Sequence, residues 1–228
     1  QPPSYFDPYC RKGQGCIPTL EPKEEGEYLT DREAEEAVRF IRQHKDQPFF
    51  LYMAHYAVHT PIQAKADVIA KYEAKEPTNQ KNDKYAAMVE SVDDAVGSIC
   101  AVLDELELAE NTLVFFTGDN GGLLPVTDNA PLCSGKGYPY EGGIREPLIV
   151  RWPGIVKAGS LSSEPVTSVD YLPTICEVTG VPIPSDRDID GLSLVEHLTS
   201  GGEKPLERGS LFWHFPHYIG AVKNDPAN

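Results

Sequence analysis

The 228-residue sequence contains no run of 18 apolar residues, so no segment of it is expected to cross a bilayer as a helix. Basic residues are few: 20 Lys and Arg against 35 Asp and Glu, a formal net charge of −15. That field argues against a nucleic-acid partner, whose binding depends on neutralising phosphates. It leaves room for an anionic substrate wherever one cation or metal ion reverses the local sign. Five cysteines occur, at positions 10, 16, 100, 133 and 176, with no Cys-x-x-Cys pair to suggest a zinc knuckle or a redox dithiol. Cys10 and Cys16 could close a short disulfide loop in an oxidising compartment or could both be free. Gln1 to Pro3 carry neither a positive nor an apolar leader pattern, so no signal peptide is expected within these 228 residues, which leaves open whether the gene encodes one. There is no internal repeat and no low-complexity tract.

What is present is enough to build a core. Hydrophobic residues make up 40% of the chain and charged residues 24%. Residues 1–29 are rich in proline and glycine, show no period, and read as an irregular lead-in, a surface loop. Thr30-Asp31-Arg32-Glu33 has the capping-box pattern, with a helix following to about His44 and Ala34, Ala37, Val38 and Ile41 on one face. Phe49-Phe50-Leu51-Tyr52-Met53-Ala54 is short and continuously apolar, the pattern of a strand buried on both faces. Tyr85, Met88, Val89, Val92, Val96, Ile99, Leu103 and Leu106 recur at helical spacing, and Cys100 falls among them as a core residue. A second buried strand follows at Leu113–Thr117, and a third at Pro147–Arg151. Ser168 can cap a short helix through Val178, and Leu192–Leu198 reads as another. Strand, helix and strand in that order form a right-handed crossover unit. The expected fold class is therefore α/β, a mostly parallel sheet flanked by helices.

In open α/β sheets chemistry gathers at the C-terminal ends of strands, and two strands here end in polar groups. The second runs into Gly118-Asp119-Asn120-Gly121-Gly122. Carboxylate and amide oxygens suit a hard cation such as Ca²⁺ or Mg²⁺, and the glycines permit a sharp turn, although the same residues also make ordinary turns. Two donors are too few for a calcium site, so partners from elsewhere are required. The first strand runs into His55-Tyr56-Ala57-Val58-His59-Thr60-Pro61. His55 reads first as an ordinary hydrogen-bonded histidine beside the sheet and second as a substrate contact. His59 lies further into the loop and is the better candidate to bind an oxyanion or protonate a leaving group. Lys136 sits between Gly135 and Gly137, placed to hold an anionic group as a point charge. It is not a Walker loop, because glycine follows the lysine and no helix pattern comes next. Arg145 reads as a structural ion pair with Glu141 or Glu146. Asp93 and Asp94 diverge by about 100° on their helix and read as a solvated face. Trp213-His214-Phe215-Pro216-His217-Tyr218 could line a substrate mouth, with His214 and His217 as contacts, or could be packing.

Taken together these segments resemble the formylglycine-dependent sulfatases of the alkaline phosphatase superfamily. The matching pieces are Pro48–Tyr52 with His59-Thr60-Pro61, Thr117–Gly121, Lys136-Gly137 with Tyr140–Arg145, Pro147, Trp152-Pro153-Gly154, Asp170–Thr174 and Asp190–Leu194, in order over about residues 28–218. The resemblance implies that Asp119 and Asn120 are two of four protein ligands of a calcium ion. It implies that His59 contacts the sulfate or assists the leaving oxygen, and that Lys136 holds a sulfate oxygen and the ester oxygen. It also implies sulfate release from a sulfated small molecule or glycan, in a periplasmic or secreted protein.

The family's nucleophile, a formylglycine made from Cys or Ser, has no counterpart here. Cys16-Ile17-Pro18-Thr19-Leu20 begins the motif, but Leu20 stands where an arginine belongs. The early Asp-Asp pair, the lysine–histidine pair after the nucleophile and the C-terminal antiparallel subdomain are likewise missing. The expectation is an internal portion of a longer sulfatase: lead-in 1–29, α/β core 30–200 and the start of a truncated region at 201–228. The formylglycine would lie upstream, and the isolated chain would be nearly inactive. Two other functions fit the same residues: a metal-dependent phosphatase or phosphodiesterase of the superfamily, and a non-catalytic protein that binds sulfated glycans.

Overall fold

The computed structural model describes residues 2–215 except 12, 14, 18, 19, 21, 22, 77 and 79. The elements in chain order are β1 (Cys10–Arg11), β2 (Gly15–Cys16), α1 (Leu29–His44), α2 (Ala66–Glu73), α3 (Asp83–Glu105), β3 (Val114–Thr117), α4 (Glu141–Ile144), β4 (Leu148–Arg151), α5 (Tyr171–Thr179) and α6 (Val195–Thr199). Single 3₁₀ turns occur at Ala109–Asn111 and Ser168–Asp170. Two compact units result, one built from residues 2–108 and 118–146, the other from 109–117 and 147–214. Among the described residues no helix is long and apolar enough to cross a membrane.

The first unit is helical. α1 buries Leu29, Ala34, Ala37 and Ile41, the face expected from their spacing, and packs on α3. α3 buries Ala87, Met88, Ala95, Val102 and Leu103, and Asn82 caps it by accepting from the Tyr85 amide at 3.1 Å. Each large apolar side chain buried this way contributes about 1.5–3 kcal/mol. Asp93 and Asp94 are exposed, as a solvated face requires, and Cys100 is half-buried rather than core. The capping box at Thr30 does not form: Tyr28 is the N-cap, without a side-chain bond, and Thr30 lies inside the helix.

The lead-in corrects the sequence reading most. Tyr5, Tyr9 and Tyr28 are almost wholly buried and form the core cluster with Leu29, Ala64, Ala87 and Met88. Irregular backbone is tolerated there because polar groups find partners. The Leu29 amide donates to the Tyr5 carbonyl at 2.8 Å, the Asp7 amide to Glu27 at 2.9 Å, and the Tyr9 hydroxyl bonds the Glu27 carboxylate. Cys10 and Cys16 are joined in a disulfide across the β1–β2 hairpin, their Cα atoms 4.1 Å apart.

Residues 49–56 form neither helix nor ladder among the described residues. Their burial alternates: Phe49, Leu51, Met53 and His55 are half-covered, whereas Phe50 and Tyr52 are 69% and 80% exposed. Phe49 meets Phe40 of α1 edge-on at 5.9 Å. A segment apolar on both faces is the pattern of an internal strand, and only one face is covered here.

In the second unit β3 pairs with β4, antiparallel, with Phe115 opposite Val150 and Phe116 opposite Ile149. The parallel crossover expected between 49–54 and β3 is thus not formed among the described residues. The third strand falls where expected. Thr167 rather than Ser168 caps the next helix, in a reciprocal box with Asp170, and α6 begins three residues later than Leu192. The Phe115 ring stacks on Tyr171 at 5.3 Å.

Candidate functional site

Where β3 ends, the chain enters Gly118–Gly122 and carries Asp119 and Asn120 on a loop held almost wholly by backbone. The Gly121 amide donates to the Gly143 carbonyl at 3.1 Å, the Lys136 amide to Gly122 at 3.1 Å, and the Gly142 amide to Cys133 at 2.8 Å. A Cβ on Gly121 would lie 1.8 Å from the Gly142 oxygen, and one on Gly142 would lie 2.2 Å from the Ser134 oxygen. These glycines are therefore demanded by packing, since the obstructing atoms are main chain and cannot swing aside. The expected effect of Gly121→Ala is a loss of about 1–3 kcal/mol from overpacking, read as a lower Tm for the full-length protein.

Asn129, which no sequence signal singled out, braces the same loop. Its Oδ1 accepts from the Gly122 amide at 3.1 Å, and its Nδ2 donates to the carbonyls of Gly122 at 2.9 Å and Ser134 at 3.2 Å. Lys136 is therefore tied to the Asp119–Asn120 loop through Gly122. The Lys136 side chain is half-buried and has no hydrogen-bond or ion-pair partner among the described residues. Lys65 and Lys71, by contrast, pair with Asp31 and Glu90 at 2.7 Å each.

Asp119 is exposed and Asn120 half-buried. Glu146, named from the sequence only as an alternative ion-pair partner of Arg145, lies against the loop instead: a Cβ on Gly118 would lie 2.3 Å from its Oε2. Burial first and the Asp119 charge second push the Glu146 carboxyl above its ordinary range. Tyr85 is pushed up as well, by burial and then by Glu146. Arg145 pairs with Glu141 at 2.9 Å on the surface, the structural pairing expected.

Asp119 and Asn120 place a carboxylate and an amide side chain on one glycine-flanked loop. That donor chemistry fits a hard divalent ion. Among the described residues no group of three or more His, Cys, Asp or Glu could hold a metal.

His59 belongs to the same unit, on the 55–63 loop, but no hydrogen bond joins it to Asp119, Asn120 or Lys136 among the described residues. It is exposed, its amide donates to the Tyr56 carbonyl at 2.9 Å, and its Nδ1 lies 3.1 Å from the Thr60 carbonyl. The Thr60 hydroxyl also faces Nδ1, at 3.2 Å, and no hydrogen bond reaches Nε2 among the described residues. His55 turns inward instead. Its Nδ1 meets Glu33 Oε2 at 2.9 Å, the two side chains 11% and 14% exposed, and its Nε2 is buried without a partner. This is the packing of an ordinary hydrogen-bonded histidine. His214 is exposed in the second unit, and His217 lies outside the described residues.

The sulfatase family profile matches residues 1–181. A sulfatase of Formosa agariphila is 37% identical over 214 residues, covering 87% of this chain and 38% of that protein. Human steryl-sulfatase is 35% identical over 209 residues, covering 88% and 34%. The solved structure of Ps i-CgsB in complex with k-i-k-neocarrahexaose superposes with a TM-score of 0.72 at 35% identity, covering 80% of this chain and 41% of that one. The chain thus spans between a third and two fifths of the length of these relatives, and its fold is the alkaline-phosphatase-like fold they share. With the profile matching most of its length, the chain belongs to the sulfatase family.

Proposed function

We propose that the full-length protein hydrolyses sulfuric esters, releasing inorganic sulfate from a sulfated organic substrate, a glycan by preference. The observation that carries this reading is a half-buried lysine, without a side-chain partner among the described residues, tied through Gly122 to a loop that presents two oxygen donors. In a chain of net charge −15 such a lysine is a local sink for an anion. Lys136 would bind a sulfuryl oxygen and draw charge from it as the ester bond breaks. His59, with Nε2 open and Nδ1 engaged, would hold or deliver a proton at the departing alcohol oxygen. Asp119 and Asn120 would be two ligands of a Ca²⁺ ion, in preference to Mg²⁺, and the ion would supply Lewis-acid polarisation of the sulfuryl oxygens. The nucleophile, a formylglycine, would come from the part of the full-length protein that precedes this chain. A glycan is favoured because Ps i-CgsB was solved with neocarrahexaose. A secreted or periplasmic setting is supported by the Cys10–Cys16 disulfide, a bond that persists in oxidising compartments.

The test is sulfate release by the full-length protein from a sulfated oligosaccharide, measured by ion chromatography. Turnover should vanish with EGTA and return with Ca²⁺. Release of phosphate with zinc in place of sulfate would move the protein to phosphoryl transfer, and glycan binding without release would make it a non-catalytic binder.

A further inference from the structure

The loop carrying His59 is anchored at every fourth residue by the core beneath it. Glu33 of α1 holds His55, the Tyr5 hydroxyl donates to the His59 carbonyl at 2.9 Å, and the Tyr28 hydroxyl donates to the Gln63 carbonyl at 2.9 Å. Gln63 closes the circuit, its Oε1 accepting from the Tyr5 amide at 2.9 Å. Of the three anchors only Tyr5 bonds His59 itself. We propose that Tyr5 is a positioning residue for His59, fixing the backbone from which the imidazole is presented; this rests on the reading of His59 as the proton-handling contact to the substrate.

The physical argument is one of remaining freedom. The His59 amide is held by the Tyr56 carbonyl, its carbonyl by Tyr5, and its Nδ1 by the Thr60 carbonyl. With both peptide groups held, the side-chain torsions are what remains, and the Thr60 carbonyl and hydroxyl at Nδ1 restrict them. Tyr5 is itself immobile: it is fully buried, its ring lies 5.9 Å from that of Tyr28, and its carbonyl accepts from the Leu29 amide. Burial, then Tyr28 and Glu33, push its hydroxyl well above the ordinary tyrosine range, so it remains a donor at every working pH. A loop that loses this anchor can shift its histidine by a fraction of an ångström without unfolding, and displacements of about 1 Å cost on the order of 10²-fold in rate.

The test uses the full-length protein with Tyr5→Phe, which keeps the ring and removes the hydroxyl, and Tyr28→Phe as the control that loosens Gln63 instead. Histidine labelled with ¹³C at Cε1 gives the His59 signal, assigned with His59→Gln. In Tyr5→Phe that signal should move or broaden while the other histidine signals stay, kcat should fall about 10–100-fold, and KM should change less than threefold. In Tyr28→Phe the His59 signal should move less. An unchanged His59 signal in Tyr5→Phe, or displacement of all histidine signals together with a lowered Tm, overturns the inference. Failure of the sulfatase reading shows separately, as absence of sulfate release by the wild type. In that case the catalytic half of the inference falls, and the His59 signal still decides whether Tyr5 places the ring.

Discussion

Replacing Lys136 with alanine in the full-length protein is expected to lower kcat/KM for sulfate release by about 10²–10³-fold while leaving Tm nearly unchanged. The size follows from what a preorganised donor is worth against charge that develops in the transition state. The dissociation from stability follows from the local structure. The side chain has no partner among the described residues, so truncating it strands nothing, and substitutions of that kind stay within about ±0.5 kcal/mol. What the loop needs from position 136 is its amide, donated to Gly122, and alanine keeps it. Lys136→Arg should recover little. A guanidinium is a planar fork and not a compact point charge. Steady-state sulfate release with a thermal melt of each variant decides it. A Lys136→Ala enzyme within threefold of wild type would remove Lys136 from the chemistry, and a Tm loss of many degrees would make it structural.

The readings that held from the sequence are those set by local rules. The periodicities of α1 and α3 place their buried faces, and turn-forming residues after a β-rich run place the Asp119 loop. The readings that did not hold depend on distant partners. Residues 49–54 look like an internal strand because both faces are apolar, but a strand requires neighbours to pair with, and burial alternates instead. The lead-in looks like a loop because proline and glycine abolish its period. Its tyrosines are nonetheless core, fixed by hydroxyl bonds 35 and 54 residues away that no local pattern encodes. Asn129, and the place of Glu146 beside the loop, are invisible for the same reason: each acts by proximity to Gly122 or Gly118, which only the folded glycine turns create. His55 and His59 are indistinguishable by type, and what separates them is Glu33, 22 residues upstream of His55.

Asp170 is where the largest loss of stability is expected. It is fully buried, and the sequence shows only that it precedes a helix. Its Oδ1 accepts from the Leu192 amide at 2.9 Å; its Oδ2 accepts from the Thr167 amide at 2.8 Å and from the Arg208 guanidinium at 2.9 Å. Its carbonyl accepts from Thr174 Oγ1 at 2.7 Å, and that oxygen in turn accepts from the Leu194 amide at 2.9 Å. One residue thus joins the start of α5 to the Asp190–Leu194 segment and to Arg208. Gly191 is bound into the same knot, because a Cβ there would lie 2.0 Å from the Val169 carbonyl oxygen. Asp170→Ala would leave two amides without their acceptor and Arg208, 11% exposed, as an uncompensated buried charge. The expected cost is about 3–5 kcal/mol. Asp170→Asn keeps one acceptor but turns an NH₂ toward groups that are all donors, and is expected to cost about 1.5–3 kcal/mol. Adding Arg208→Met to Asp170→Ala should recover part of the loss, because the stranded charge goes with it. Pulse proteolysis of the full-length protein in urea, with cuts mapped to residues 147–214, measures each variant. A change below about 1 kcal/mol in Asp170→Ala would show that the knot is dispensable, whereas recovery in the double variant would assign the cost to the unpaired guanidinium rather than to lost packing.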